Sequence, residues 1–339
     1  MPSSRHGVAI DEVIGAAERL FDRAAPHGTS LALVVQHRGE VIVEQYGAQP
    51  DTVFGPGGPV TADTTLISWS MAKSITHAAV GIAVGDGLLD LDAPAAVPAW
   101  SGTDKEQITL QDLLEMRPGL LFVEDYVDDQ VSHCIEMLYG AGQDDVAAYA
   151  ASLPLVHEPG TVWNYSSGTT NIICRILGDV VGGGRAGMEA FLAERLFGPV
   201  GMTSAIPKFD AAGTFIGSSY VYATARDFAR FGQLYLDDGI VVVDGEPRRI
   251  LPGGWCARAA ELTASDPDDP TGRSAYGRHW WLWTDVPGLF ACQGYEGQYT
   301  LVVPDRDLVV VHLGKSPADL RGSLRDELAR IVAAFPAVS

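Results

Sequence analysis

Positive charge is scarce in this chain. Lys and Arg together number 23 against 43 Asp and Glu, for a formal net charge of −20. A partner such as nucleic acid or an anionic membrane needs a basic face, so both are excluded as expected partners, and the charge reads as a solubility device. Only four lysines occur, Lys73, Lys105, Lys208 and Lys315. Cysteine is equally sparse. Cys134, Cys174, Cys256 and Cys292 are scattered without C-x-x-C spacing and read as reduced core residues. No window holds about 18 uncharged apolar residues, so no membrane-spanning helix is expected. The stretch Met1–Phe21 carries Asp11, Glu12 and Glu18 between short apolar segments. It reads as an amphipathic helix and not as a secretory leader, which makes the cytoplasm the expected compartment. None of the eight histidines stands in H-E-x-x-H or comparable metal spacing, and no G-x-S-x-G elbow is present. Gly55-Pro-Gly-Gly-Pro59 lacks the companions of a phosphate-binding loop.

What is present suits a globular protein. The chain has 339 residues, 47% of them hydrophobic, enough for a sizeable core. Leu31–Gln36 and Val41–Tyr46 are β-type runs joined by His37-Arg-Gly-Glu40, a hairpin signal. A three-strand meander is expected over Gly288–Gly314, turning at Pro304-Asp-Arg-Asp. Leu320, Leu324, Leu328 and Ile331 give Ala318–Phe335 helical spacing. Between these ends, Thr109–Met116, Asp144–Ser152, Thr169–Val181, Gly187–Phe197 and Thr224–Asp237 are helix-like, separated by Pro and Gly. The expected architecture is α+β: a sheet built from both chain ends (1–65 and 275–339), flanked by the terminal helices, with a mostly helical domain (66–274) inserted and a cleft between them.

The most informative stretch is Ile67-Ser-Trp-Ser70-Met-Ala-Lys73-Ser74. The nearly all-apolar run Ile75–Val84 follows and predicts a buried helix. Residues three apart share a helical face, so the Lys73 amine would stand beside the Ser70 hydroxyl. A serine alcohol is a poor nucleophile until a base takes its proton. A lysine in an apolar wall at a helix N-terminus should have a lowered pKa and serve as that base. Alone, Ser-x-x-Lys also describes an N-capping serine and a snorkelling lysine.

Two further elements accompany it. Trp163-Asn-Tyr165-Ser-Ser-Gly168 lies between the turn Glu158-Pro-Gly160 and an apolar helix. Tyr165, near a cationic lysine, would have its phenol pKa lowered and could shuttle a proton to a leaving group. Gln293-Gly-Tyr295-Glu-Gly-Gln298 opens a strand, where glycine lets a backbone approach a ligand.

Ser70-Met-Ala-Lys73, Tyr165-Ser-Ser167 and Tyr295-Glu-Gly297 occur in the order and rough spacing of the serine β-lactamase-like hydrolases. These comprise class C β-lactamases, D-aminopeptidases, related carboxylesterases and 6-aminohexanoate-dimer hydrolases. Gly85-Asp-Gly-Leu-Leu-Asp-Leu-Asp92, Ile108-Thr-Leu-Gln-Asp-Leu-Leu114 and Tyr222-Ala-Thr-Ala-Arg-Asp-Phe-Ala-Arg-Phe-Gly232 look similar too, and the resemblance spans about residues 30 to 315. It implies a β-lactamase/penicillin-binding-protein-like fold, an acylated nucleophile at Ser70, a proton-transfer pair of Lys73 and Tyr165, and an oxyanion hole from the backbone N–H groups of Ser70 and Gln298. Ser167 falls where the lactamases usually have Asn. No metal or organic cofactor is implied.

The departures concern substrate. Tyr295, Glu296 and Gly297 stand where β-lactamases carry Lys-Thr-Gly, so the cation for a β-lactam carboxylate is missing. A small ester or amide is the expected substrate, with an ester the easier one. Tyr126, on the loop after the Leu-Leu helix, is expected to help close the pocket. Glu124, Asp125, Asp128 and Glu296 are candidates for attracting an amino group. Of Trp280, Trp281 and Trp283, core packing or an aromatic lip are the two readings, and His77, one turn beyond Lys73, reads as a packed histidine. A β-lactamase or D-amino peptidase, an acyltransferase on the same scaffold and an idle ligand-binding protein are the alternatives. Oligomeric state is not readable.

Overall fold

The structure, a computed structural model, describes residues 7–23, 28–52, 55–126 and 132–338. Eight strands form one antiparallel sheet: β1 (Thr29–His37), β2 (Glu40–Tyr46), β3 (Ala264–Ser265), β4 (Ser274–Tyr276), β5 (Trp281–Trp283), β6 (Phe290–Gly294), β7 (Gln298–Val303) and β8 (Leu308–Lys315). Their order is β3-β4-β5-β6-β7-β8-β1-β2, so the first and last long strands pair at its heart. The β1–β2 hairpin turns through Arg38 and Gly39, both with positive φ (53° and 76°). Two such residues in a row match the right-handed twist of the flanking strands.

Both faces of the sheet are covered, which is why β1 and β8 read as continuous apolar runs and not as alternating ones. Ala32, Val34, Val309 and Val311 join the core shared with the helical region. Leu33, Val35, Leu308 and Val310 join a second core under the terminal helices α1 (Ile10–Phe21) and α8 (Arg321–Ala333). The remaining helices used below are α2 (Ala72–Gly85), α3 (Leu110–Leu114), α4 (His133–Tyr139), α5 (Val146–Ser152), α6 (Ser167–Val181) and α7 (Ala225–Leu236). Side-chain caps start several of them. Thr109 and Asp112 form a capping box on α3, Ser166 caps α6 and Thr224 caps α7.

The division of the chain differs from the expected boundaries in two places. The sheet reaches back to Ala264. Helix α7, assigned to the helical insert, lies on the sheet instead: a Cβ on Gly232 would come within 2.6 Å of Val309 and 3.0 Å of Thr300, so glycine permits the close approach. Among the described residues, α4, a short helix at Trp255–Ala259, the hairpin of Ile240–Val243 with Glu246–Arg249, and strands β3 to β5 were not anticipated. All are short, and their patterns carry little periodicity. No helix of the described residues is long and apolar enough to cross a membrane. The four cysteines are buried and unpaired, and burial pushes the Cys174, Cys256 and Cys292 thiols up to about 12.

Candidate active site

Leu66 and Ile67 pair with Ala223 and Tyr222 in a short ladder, and the Ser68 hydroxyl accepts from the Val221 N–H at 3.1 Å. This anchor holds the chain as it enters a 3-10 turn, Trp69–Met71. Trp69 has φ +43°, left-handed backbone that is rare for a bulky residue and is held here by its surroundings. Ser70 therefore sits on the tight turn just ahead of α2, while Lys73 lies in the first turn of the helix. Every residue from Ala72 to Ala83 is buried.

Lys73 is 2% exposed, yet its wall is polar where it matters. Its amine donates to Ser70 Oγ (3.0 Å), Ser167 Oγ (2.9 Å) and the Ser218 carbonyl (3.0 Å). Three acceptors match the three donors of an ammonium. This corrects the expectation of an apolar wall: helix α6 and the Ser218 backbone bring oxygens that the local sequence of α2 does not contain. Ser167 is not a substrate contact alone. Its hydroxyl donates to Glu124 Oε1 (2.6 Å) while accepting from Lys73, and its N–H donates to Glu124 Oε2 (2.7 Å). Glu124 also accepts from the Tyr126 hydroxyl at 2.5 Å. Glu124 thus belongs to the Lys73 network through one hydroxyl, a role its sequence setting, an acidic loop, did not signal.

Tyr165 closes the other side. Lys73 Nζ lies 4.8 Å from its ring centroid. Burial raises the phenol pKa above its ordinary value, and this outweighs the lowering pull of Lys73. The expected net lowering is therefore reversed, because desolvation is the larger effect. Tyr276 and Trp281 pack around the ring at 5.8 and 5.2 Å.

The third element is displaced from its expected place. Tyr295–Gly297 is a 3-10 turn between β6 and β7, not the opening of a strand. The residue pressed against Ser70 is Gly294, at the end of β6. A Cβ there would lie 2.4 Å from the Ser68 carbonyl oxygen and 3.2 Å from the Ser70 nitrogen. Gln298 lies one strand away, opposite Gly294, with its side chain bonded to the Gly314 backbone and the Tyr295 carbonyl. It lines neither hollow beside Ser70. Gly297 faces α8, where a Cβ would meet Leu324 at 2.6 Å. Glu296 takes left-handed backbone (φ 61°), and its carboxylate accepts from the Trp69 indole at 3.4 Å. Neither Gly297 nor Glu296 lines a hollow, and Asp128 lies outside the described residues.

Two hollows flank Ser70. The larger, about 580 Å³, is walled by Trp163, Tyr165, Trp281, Gln293 and Gly294, with Asp266, Asp268 and Arg321 also lining it. Among the described residues Arg321 is its only cationic lining residue. The smaller, about 260 Å³, is lined chiefly by Trp69, Cys134, Ile135, Leu138 and Tyr139. Tyr126 and Tyr295 border both, their rings 5.1 Å apart. Of the three tryptophans near β5, Trp280 and Trp283 are core and Trp281 is the aromatic wall. His77 is fully buried, its Nδ1 bonded to the Tyr235 hydroxyl (2.7 Å) and its ring stacked on Trp255. No group of three metal-ligating side chains occurs among the described residues.

The β-lactamase family model matches residues 18–334. Among curated proteins, a 6-aminohexanoate-dimer hydrolase of Paenarthrobacter ureafaciens is 27% identical over 302 residues, covering 84% of this chain and 72% of that one. Among solved structures, a family VIII carboxylesterase superposes with a TM-score of 0.71 at 18% identity, covering 96% of each chain. A class C β-lactamase from Rhodobacter sphaeroides gives 0.67 at 19% identity, covering 95% of this chain and 99% of that one.

Proposed function

We propose that this chain, which belongs to the β-lactamase family, is a serine hydrolase that cleaves small esters or amides through an acyl-enzyme on Ser70. The observation that carries the reading is the Lys73 amine at 3.0 Å from Ser70 Oγ, with the Tyr165 ring centroid 4.8 Å from the same amine.

The steps follow from that geometry. Ser70 Oγ attacks the substrate carbonyl as its proton passes to the Lys73–Tyr165 pair. The negative charge on the former carbonyl oxygen needs fixed donors. The Ser70 N–H is one. The backbone at Gly294–Tyr295 is the proposed source of the second, in place of Gln298, because Gly294 is the residue that touches the Ser70 backbone. The tetrahedral intermediate collapses, the leaving group takes the proton back, and the acyl group stays on Ser70. Water then attacks the ester carbonyl, with the same pair taking its proton, and Ser70 is released.

An ester leaves as an alcohol and needs less protonation than an amine, so esters are the proposed first substrates. A linear amide, as in the name of the curated relative, is the next. Glu124 is committed to Ser167 and Tyr126, so a substrate amine would meet Asp266 and Asp268 instead. Arg321 in the larger cleft favours a second reading, in which the substrate carries a carboxylate, as a D-amino peptide or β-lactam does.

The test is fluorophosphonate labelling read by intact and peptide mass spectrometry, beside turnover of p-nitrophenyl acetate, nitrocefin and a short aminohexanoate amide. One adduct on Ser70 with turnover of one substrate supports the hydrolase and selects its class. A folded protein with neither adduct nor turnover would be an idle binding protein.

A further inference from the structure

The two hollows beside Ser70 differ in what they offer a substrate, and the proton-transfer pair fixes which part of the substrate enters each. The leaving group must depart next to its proton donor. Tyr165 lines the larger cleft and not the smaller hollow. The larger cleft is also lined by side chains that carry hydrogen-bond donors, among them Trp163, Gln293 and Arg321. Asn164, Asp266 and Asp268 add further polar side chains to the same wall. The smaller hollow is the more apolar of the two. There α4 presents Cys134, Ile135, Leu138 and Tyr139, with Trp69 opposite, a surface with little to bond to and much to pack against.

We infer that the smaller hollow is the acyl site and takes an unbranched apolar acyl chain, while the acceptor-bearing leaving group occupies the larger cleft. This rests on the hydrolase reading above and adds the class of acid: an aliphatic monocarboxylic acyl group longer than acetyl, joined to a polar alcohol or amine. Ile135 and Leu138 set the depth available to the chain.

Two matched ester series test the assignment. In the first, p-nitrophenol is the fixed leaving group and the acyl chain runs from acetate through butyrate and hexanoate to octanoate. In the second, acetyl is fixed and the alcohol runs from ethyl through butyl to hexyl, followed by acid release. Each methylene buried in an apolar site is worth roughly fourfold in kcat/KM, so kcat/KM should climb at least tenfold along the acyl series before levelling, and stay nearly flat along the alcohol series. Ile135→Trp should cut the hexanoate-to-acetate ratio at least fivefold. Ile135 is partly exposed, so the fold should tolerate the change, and Leu138→Trp is a second filling variant. A climb along the alcohol series, with the tryptophan variants acting there, would overturn the assignment, as would an acyl series flat to within twofold. Fluorophosphonate labelling of the same preparations separates the two levels: a labelled Ser70 with a flat acyl series defeats the acyl site alone, and an unlabelled Ser70 defeats the hydrolase reading with it.

Discussion

Lys73 and His77 stand one turn apart on α2, both are nitrogen bases, and both are out of water. Their surroundings are opposite. Lys73 meets three oxygens and the face of Tyr165, with Glu124 one hydroxyl further out. His77 meets the Trp255 ring and indole N–H and the Tyr235 hydroxyl, and its Nε2 has no partner. Burial, then the electrostatic influence of His279, Arg278 and Arg258, holds the His77 pKa well below its ordinary value, so it stays neutral. One helix thus carries a buried base wired into a hydrogen-bond network, where the proposed reaction needs one, and another sealed for packing. The difference lies in what α6, the Ser218 backbone and the Trp255 helix bring to it, not in burial or in helical position.

The largest break of this contrast comes from the wired end. Lys73→Met should lower kcat/KM for p-nitrophenyl acetate by roughly 10³-fold or more, and retention of even a tenth of the activity would remove Lys73 from the chemistry. Tyr165→Phe should cost roughly 10²–10⁴-fold in kcat, checked by stopped-flow acylation. Glu124→Gln should cost about tenfold through misplacement of Ser167 and Lys73. It should also shift a limb of the pH–kcat profile. Glu124 raises the Tyr165 pKa, so losing its charge should move that limb to lower pH, a shift that a merely structural role would not produce.

At the sealed end the effects turn from rate to stability. His77→Phe should leave kcat within about twofold while orphaning the Tyr235 hydroxyl. Losing the Tyr235 partner should cost about 1–3 kcal/mol in urea unfolding, while the indole keeps the backbone carbonyl of residue 77 as its acceptor. The smallest effect is its pH signature. His77, His279 (down to about 3) and His312 (down to about 4) are all held neutral mainly by burial. Folded values below the unfolded value of about 6.5 mean that the unfolded chain binds more protons there. Stability should be full above pH 6.5 and fall as the pH drops from there toward 4. The His77→Phe variant should lose less over that window than the parent, and equal losses would show that His77 titrates elsewhere.

Sequence made the wired end readable where the relation is local. Ser70 and Lys73 are three residues apart at a helix start, and helical geometry alone brings them together. Tyr165 needed its motif neighbours. The β1–β2 hairpin, the final meander and the last helix were also legible, because period and turn residues are local properties. That Gly294 is the residue of the third element that touches Ser70 was not legible, since it depends on where β6 stops and how it pairs with β7. Glu124 was visible only as one acid in an acidic loop, because its partner Ser167 comes from a helix 43 positions later. The rise in the Tyr165 pKa was missed for the same reason, as desolvation there comes from Tyr276 and Trp281, distant in sequence.

The pairing of β1 with β8 has a consequence for the protein's birth on the ribosome. The hairpin of β1 and β2 emerges well before β8, with β1 apolar on both faces and its inner edge unpaired until that partner is made. The nascent chain must carry that open edge through synthesis of the whole helical region. Gly294 and β6, which press on Ser70, also arrive late, so a truncated chain that holds Ser70, Lys73 and Tyr165 but ends before β6 carries the catalytic side chains without the wall that completes their site.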